Sequence, residues 1–178
     1  NEVLAVNSMM MQYFFVFSYF MDGLAYAAEA LTGKYIGKNN IKLFLKAVSK
    51  IFQWGWVLSL TFGSLYLVAH KQLIGLLTDT QVLILNASDY FHWMTAIPIT
   101  SFAAFLWDGI FVGKLATRSM SNAMIIAGIF IYLPAILLLE TRHGHHGLWI
   151  AFHLFMSARS LAMWYLSKNI AKTHFPIV

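Results

Sequence analysis

Cysteine is absent from the 178 residues, which excludes disulfide scaffolds, thiolate metal sites and cysteine nucleophiles. Charge is nearly as scarce. Asp, Glu, Lys and Arg together make 11%, where a soluble domain carries roughly 25%. Too few charged side chains remain to cover a globule of this size in water. Apolar types fill the gap at 60%, against an ordinary share of roughly 45–50%, and so much Leu, Ile and Phe also excludes intrinsic disorder. The net charge of +5 does not make a nucleic-acid binder, which needs its basic side chains on one wetted face. Here they stand in short clusters between long apolar runs. No Walker loop, Ser–His–Asp order or paired sugar-cleaving carboxylates are present, so the residues do not read as an enzyme.

Those runs are the positive signal. A helix needs about 20 apolar residues to cross about 30 Å of hydrocarbon. Residues 3–21 and 51–69 are uncharged stretches of nineteen, 90–107 of eighteen and 119–139 of twenty-one, while 147–167 is interrupted only by Arg159. The runs lack the period-two alternation of a membrane barrel. The expected architecture is therefore all-α, a polytopic transmembrane helix bundle with five spans near 9–31, 50–70, 89–113, 119–139 and 147–167. Residues 1–8 read as the end of a preceding transmembrane helix, and 9–178 as one transmembrane lobe. Residues 73–85 are apolar but broken by Thr78, Asp79 and Thr80, and read as a short interfacial helix.

Five spans divide the connecting segments into two sets. One carries Lys34, Lys38, Lys42, Lys46, Lys50, Lys114, Arg118, Lys168 and Lys172; the other carries Lys71 and Arg142. The positive-inside bias puts the richer set, and the C-terminus, in the cytoplasm. Trp93 and Trp149 then fall near outer helix ends and Trp164 and Tyr165 near an inner one, as an aromatic belt expects. No basic leader or small-residue cleavage site opens the chain, so its first apolar run is not a signal peptide. An external N-terminus without one leads to the expectation of at least one helix upstream.

Asp22 and Asp108 interrupt the first and third spans, and Arg159 the fifth. A charge at mid-membrane costs about 2.5–3.5 kcal/mol on insertion scales and calls for an offsetting interaction. At about 1.5 Å per residue, Asp22 lies about 18 Å before Lys34, Asp108 about 15 Å before Arg118 and Arg159 about 14 Å before Lys168. The three are thus candidates for a single layer. One reading is a proton, Na⁺ or organic-cation site at Asp22 and Asp108; the other is a structural Asp–Arg pair that fixes helix packing. Arg159 and Glu29 are the candidate ion-pair partners. Glu29, Ala25 and Gly33 form a stripe with small residues that suits a bundle-facing surface, and Gly109-x-x-x-Gly113 is a close-packing motif. Pro98 and Pro134 lie inside spans and are candidate kinks.

His143, His145 and His146 follow Arg142 in a short connection. Neutral imidazoles bind Zn²⁺ or Cu²⁺, so these are metal candidates, with an exposed loop as the plainer reading. Phe and Met stripes in the first and third spans suit packing or a greasy cavity.

The stretch from Met21-Asp22-Gly23-Leu24-Ala25-Tyr26 through Ala28-Glu29-Ala30-Leu31-Thr32-Gly33-Lys34, with Trp107-Asp108-Gly109-Ile110-Phe111-Val112-Gly113 and Ala116-Thr117-Arg118, resembles the multidrug and toxic compound extrusion (MATE) transporters, in the subgroup of DNA-damage-inducible protein F. The resemblance implies a twelve-helix protein of two six-helix lobes, of which this chain is the C-terminal lobe, with Val3-Leu4-Ala5-Val6-Asn7 like the end of the seventh helix. It implies a secondary-active antiporter of the bacterial inner membrane. Such a protein exports small cationic and amphipathic compounds against inward H⁺ or Na⁺ movement, without a cofactor. Its partners would be membrane lipid, those substrates and the missing N-terminal lobe, with no nucleic acid. The subgroup's best-attested coupling acid lies in the other lobe, and Phe102 stands nearer than Asp108 to the acid of a sodium-driven branch. Candidacy of Asp22 and Asp108 therefore rests on burial and depth. The alternatives are a lipid-linked oligosaccharide flippase of the same superfamily, a non-transporting membrane interaction protein, and a His-dependent membrane metalloenzyme.

Overall fold

The computed structural model describes residues 2–174, with side chains described for 4–142 and 144–168. Among them every regular element is helical: α1 (Glu2–Gly37), α2 (Ile41–Leu77), α3 (Gln81–Gly113), α4 (Thr117–Ile126), a π-helical turn (Ala127–Tyr132), α5 (Leu133–His143) and α6 (His145–His174). Four rods, 4–37, α2, α3 and the continuous α4–α5 rod, are long and apolar enough to cross a membrane. The chain is a multi-pass membrane protein. α6, with 30 residues, has the length for the expected fifth span. His145, His146, His153 and Arg159 make it less apolar than the others.

Two expected boundaries move. Residues 2–8 are the opening turns of α1, continuous with the rest of that helix; no Pro or Gly stands there to break it. Residues 73–85 form no separate helix. α2 bends at Ala69 (φ −100°, ψ 15°) and runs on to Leu77, and α3 starts at Gln81. Tyr13 of α1 holds both sides of that bend: its hydroxyl donates to the Leu73 carbonyl, and its own carbonyl accepts from the Tyr66 hydroxyl at 2.7 Å.

The turns have local causes. Asn39 takes φ 49° after α1, and Asn40 caps α2 by accepting the Leu43 N–H at 3.0 Å; Asn tolerates both roles. After α3, Leu115 takes φ 57° and is 89% exposed, which turns the chain and leaves the preceding Lys114 facing inward. Gly144 closes the α5–α6 hairpin at φ 55°, ψ −134°, a conformation open to little but glycine. Pro134 follows directly on the π-helical turn. Proline clashes with the carbonyl four residues back, and a wider turn relieves such a clash within a continuing helix. Pro98 is buried inside an uninterrupted α3.

α3 is central. α1, α2 and α6 all pack on it, while the α4–α5 rod packs mainly on α6. Met10, Phe14, Phe17 and Met21 recur at helical spacing on α1 and are buried, so that stripe is packing surface. Trp149 is buried too, with Nε1 donating to Asn7 Oδ1 at 3.1 Å. Of the expected aromatic belt, only Trp164 and Tyr165 are exposed at its inner end; Trp93 and Trp149 are engaged by the protein.

The Gly109-x-x-x-Gly113 motif sets the α1–α3 contact. A methyl group at Gly109 would collide with the Ala25 backbone, and one at Gly113 with the Glu29 carbonyl and the Thr32 side chain. The two backbones approach too closely for any Cβ. Gly23 meets nothing on its open side. Gly109→Ala should therefore cost about 1–3 kcal/mol, the scale of overpacking, whereas Gly23→Ala should be neutral or slightly stabilising through helix propensity. Denaturation of both variants in detergent checks this; equal stability would contradict the close approach.

Candidate intramembrane charge site

The α1–α3 contact fixes a parallel register, with Ala25 beside Gly109 and Glu29 beside Gly113. The same offset sets Asp108 opposite Leu24, two residues from Asp22 and so within about 3 Å of its level. Asp22 is close enough to Asp108 for their charges to act on one another.

α6 joins this layer as well, packed on α3 and touching α1 through Trp149–Asn7 and Phe14–Phe152. Trp93 Nε1 donates to His146 Nδ1 at 3.1 Å, and Thr100 Oγ1 meets His153 Nδ1 at 2.8 Å. Both pairs carry the same offset, so α3 and α6 run parallel with their polar positions in step. One further step along, Arg159 Nη2 donates to Asp108 Oδ2 in an ion pair. The Arg159 side chain is 10% exposed and that of Asp108 26%. Asp108 Oδ1 and Arg159 Nε are buried with no hydrogen-bond partner among the described residues. The pair is therefore joined by one contact and not by the two-pronged geometry that gives such pairs most of their strength.

The structure thus brings Asp22, Asp108 and Arg159 into one layer. Arg159 takes up Asp108; Asp22 is half-buried and forms no ion pair among the described residues. Glu29, the other candidate ion-pair partner, is half-buried beside Gly113 and has no ion pair among the described residues, and Lys34 lies over the Tyr35 ring at 5.8 Å. Five residues on a helix turn two side chains about 140° apart, which separates Lys34 from Glu29.

The His tract is also resolved in part. His145 is exposed, and the side chain of His143 lies outside the described residues. His146 is taken up by Trp93 and stacks on Tyr90, with ring centroids 4.5 Å apart. Among the described residues no three His, Cys, Asp or Glu side chains converge on a metal position. The His146 and His153 contacts escaped the sequence reading. Their signal was present as a shared seven-residue spacing, Trp93 to Thr100 on α3 and His146 to His153 on α6.

Beside α6 lie two apolar clefts that share Tyr132 and Phe152. One, of about 230 Å³, reaches Asn7, Met11 and Trp149; the other, of about 370 Å³, reaches Met124, Gly128 and Phe155. Both meet the π-helical turn, which opens the rod at that level.

A parallel-packed helical bundle with a charge layer inside its membrane spans is the setting in which the comparisons fall. The MatE family pattern matches residues 1–138, more than half of the chain, and the chain belongs to that family. DNA damage-inducible protein F of Escherichia coli (strain K12) is 29% identical over 163 residues, which cover 92% of this chain and 35% of that protein. The chain thus spans about a third of that relative's length. Asp22, Asp108 and both glycines of the α1–α3 contact fall inside the family match; Arg159 falls beyond it.

Removing one partner of a buried pair leaves the other charge stranded, at about 3–5 kcal/mol. Asp108→Asn should lose stability on that scale because Arg159 stays charged, while Asp22→Asn, which breaks no ion pair among the described residues and removes a repulsion with Asp108, should be no less stable than the wild type. Urea or thermal unfolding of the two variants in detergent separates them. Equal losses would contradict the assignment of Arg159 to Asp108.

Proposed function

We propose that the chain forms the C-terminal lobe of a secondary-active antiporter that exports small cationic and amphipathic compounds across a bacterial inner membrane against H⁺ or Na⁺. Family membership supports a transporter of this class. The observation that carries the coupling role is the layer itself: two carboxylates inside membrane-spanning helices, one paired with Arg159 and one with no ion pair among the described residues. Ionisable residues within spans are costly and mark ion pathways and relays. The bias of basic residues among the connections supports a cytoplasmic C-terminus.

In this mechanism a cation or proton arriving at Asp22 lowers its repulsion with Asp108 and tightens the Asp108–Arg159 link between α3 and α6. Release of the cation loosens that link. The exchange moves the lobe between two packings only if the cation binds them with different affinities. The Met- and aromatic-lined clefts at the π-helical turn offer adaptable apolar surface for the greasy part of a substrate. The drug path as a whole requires the other lobe.

A lipid-linked oligosaccharide flippase would need several deep bases to meet a pyrophosphate. Arg159 is the base in this layer, and Asp108 already neutralises it, which disfavours that reading. A non-transporting interaction protein predicts that acid substitutions alter stability alone. The test is drug resistance in cells expressing full-length Asp22→Asn and Asp108→Asn variants at equal membrane levels. Both should insert and export less drug. Wild-type resistance with both variants would remove the coupling role.

A further inference from the structure

Lys114 is a buried cation with no anion beside it among the described residues. It follows α3 directly, is 5% exposed and lies 4.7 Å from the centroid of the Phe44 ring. Among the described residues no carboxylate pairs with it. Its burial pulls its pKa down to about 8, so at neutral pH it still carries most of its charge. Burying an ammonium without a counter-charge is unfavourable, and contact with one ring offsets only part of that cost.

The cleft it faces has a definite shape. It holds about 210 Å³ between the start of α2 and the end of α6, with Trp107 of α3 as part of its lining. α2 and α6 flank α3 and do not pack broadly on each other, which leaves the groove open between them. Phe44, Leu45 and Val48 form its apolar wall, and Lys168 stands on the far side with its ammonium 3.7 Å from the centre of the Trp164 ring. Leu43 and Leu45 are 42% and 55% exposed and extend the wall outward. Two cations from different helices thus meet across a greasy groove at the end of the bundle where the basic residues gather.

We infer that this cleft binds an anionic phospholipid, its phosphate held between Lys114 and Lys168 and an acyl chain laid along Phe44, Leu45 and Val48. Basic pockets between transmembrane helices on the cytoplasmic side are suited to such headgroups. Charge complementarity selects an anion, and the apolar wall selects an anion with a tail over free phosphate. The bound lipid bridges α2 to α6. The inference needs the membrane location of the bundle and not its transport activity.

The test uses the full-length protein in nanodiscs of phosphatidylcholine with 20% phosphatidylglycerol, a composition chosen on the order of natural anionic content, and native mass spectrometry to count retained lipid. The wild type should keep phosphatidylglycerol in preference to phosphatidylcholine. At about 1 kcal/mol per lysine near an anionic surface, Lys114→Gln and Lys168→Gln should each weaken retention about fivefold. Lys114→Arg should preserve it, and Lys50→Gln, an exposed lysine on α2 bonded to Gln53, should leave it unchanged. If Lys114→Gln fails to fold, Lys168→Gln at the rim carries the test. Wild-type retention in Lys168→Gln, equal retention of phosphatidylcholine, or displacement of the lipid by millimolar inorganic phosphate would each overturn the proposal.

Discussion

Arg159 and Asp108 meet where water does not reach freely, and the rest of the arrangement follows from keeping them together. In a low dielectric each charge alone is expensive, and the pair is tolerable only if the helices that carry it are held in one register. α3 and α6 supply that register through Trp93–His146 and Thr100–His153, two polar ties at the same offset above the ion pair. α1 adds its own constraint, since Gly109 and Gly113 admit its backbone directly against α3. Three helices therefore cannot slide independently, and Asp22 is carried to the level of the pair by packing and not by attraction.

That distinction gives the two acids different chemistry. Asp108 has one oxygen committed to Arg159 and the other buried without a partner among the described residues. Asp22 forms no ion pair among the described residues, yet feels Asp108. The cation site proposed at Asp22 would lie next to the bond it influences. An apolar bundle in which both acids were paired would be a rigid strut. Near the other end of α3 from the His146 contact, Lys114 shows the converse imbalance, a buried positive charge beside a ring and with no carboxylate among the described residues. In both places what is unpaired is more informative than what is paired.

The bundle was legible because hydrocarbon imposes a crude rule on sequence. Uncharged runs of about 20 residues read directly as spans, and three charged interruptions read directly as a layer. The depth estimate for Asp22, Asp108 and Arg159 needed only helical rise. Boundaries were less legible, since apolar patterning reports where lipid begins and not where a helix stops. α1 and α2 both continue past their apolar cores, and the bend at Ala69 depends on Tyr13 from another helix, which no local pattern encodes. The His tract looked like a metal site by composition, but His146 is taken by Trp93, fifty-three residues away in sequence. The Gly109 and Gly113 motif was common enough to carry little weight until the carbonyls of Ala25 and Glu29 were seen against it.

The charge layer stands or falls on the pairing of Asp108 with Arg159, and exchanging the two charges interrogates that pairing with little else altered. Asp108→Arg and Arg159→Asp should each lower the unfolding midpoint of the full-length protein in detergent, since each sets two like charges together in the bundle. The double exchange should recover a large part of the loss, because opposite charges meet again across the same helix contact. A double variant no more stable than the worse single one would mean that the two side chains do not meet in the folded protein, and the layer would have no foundation.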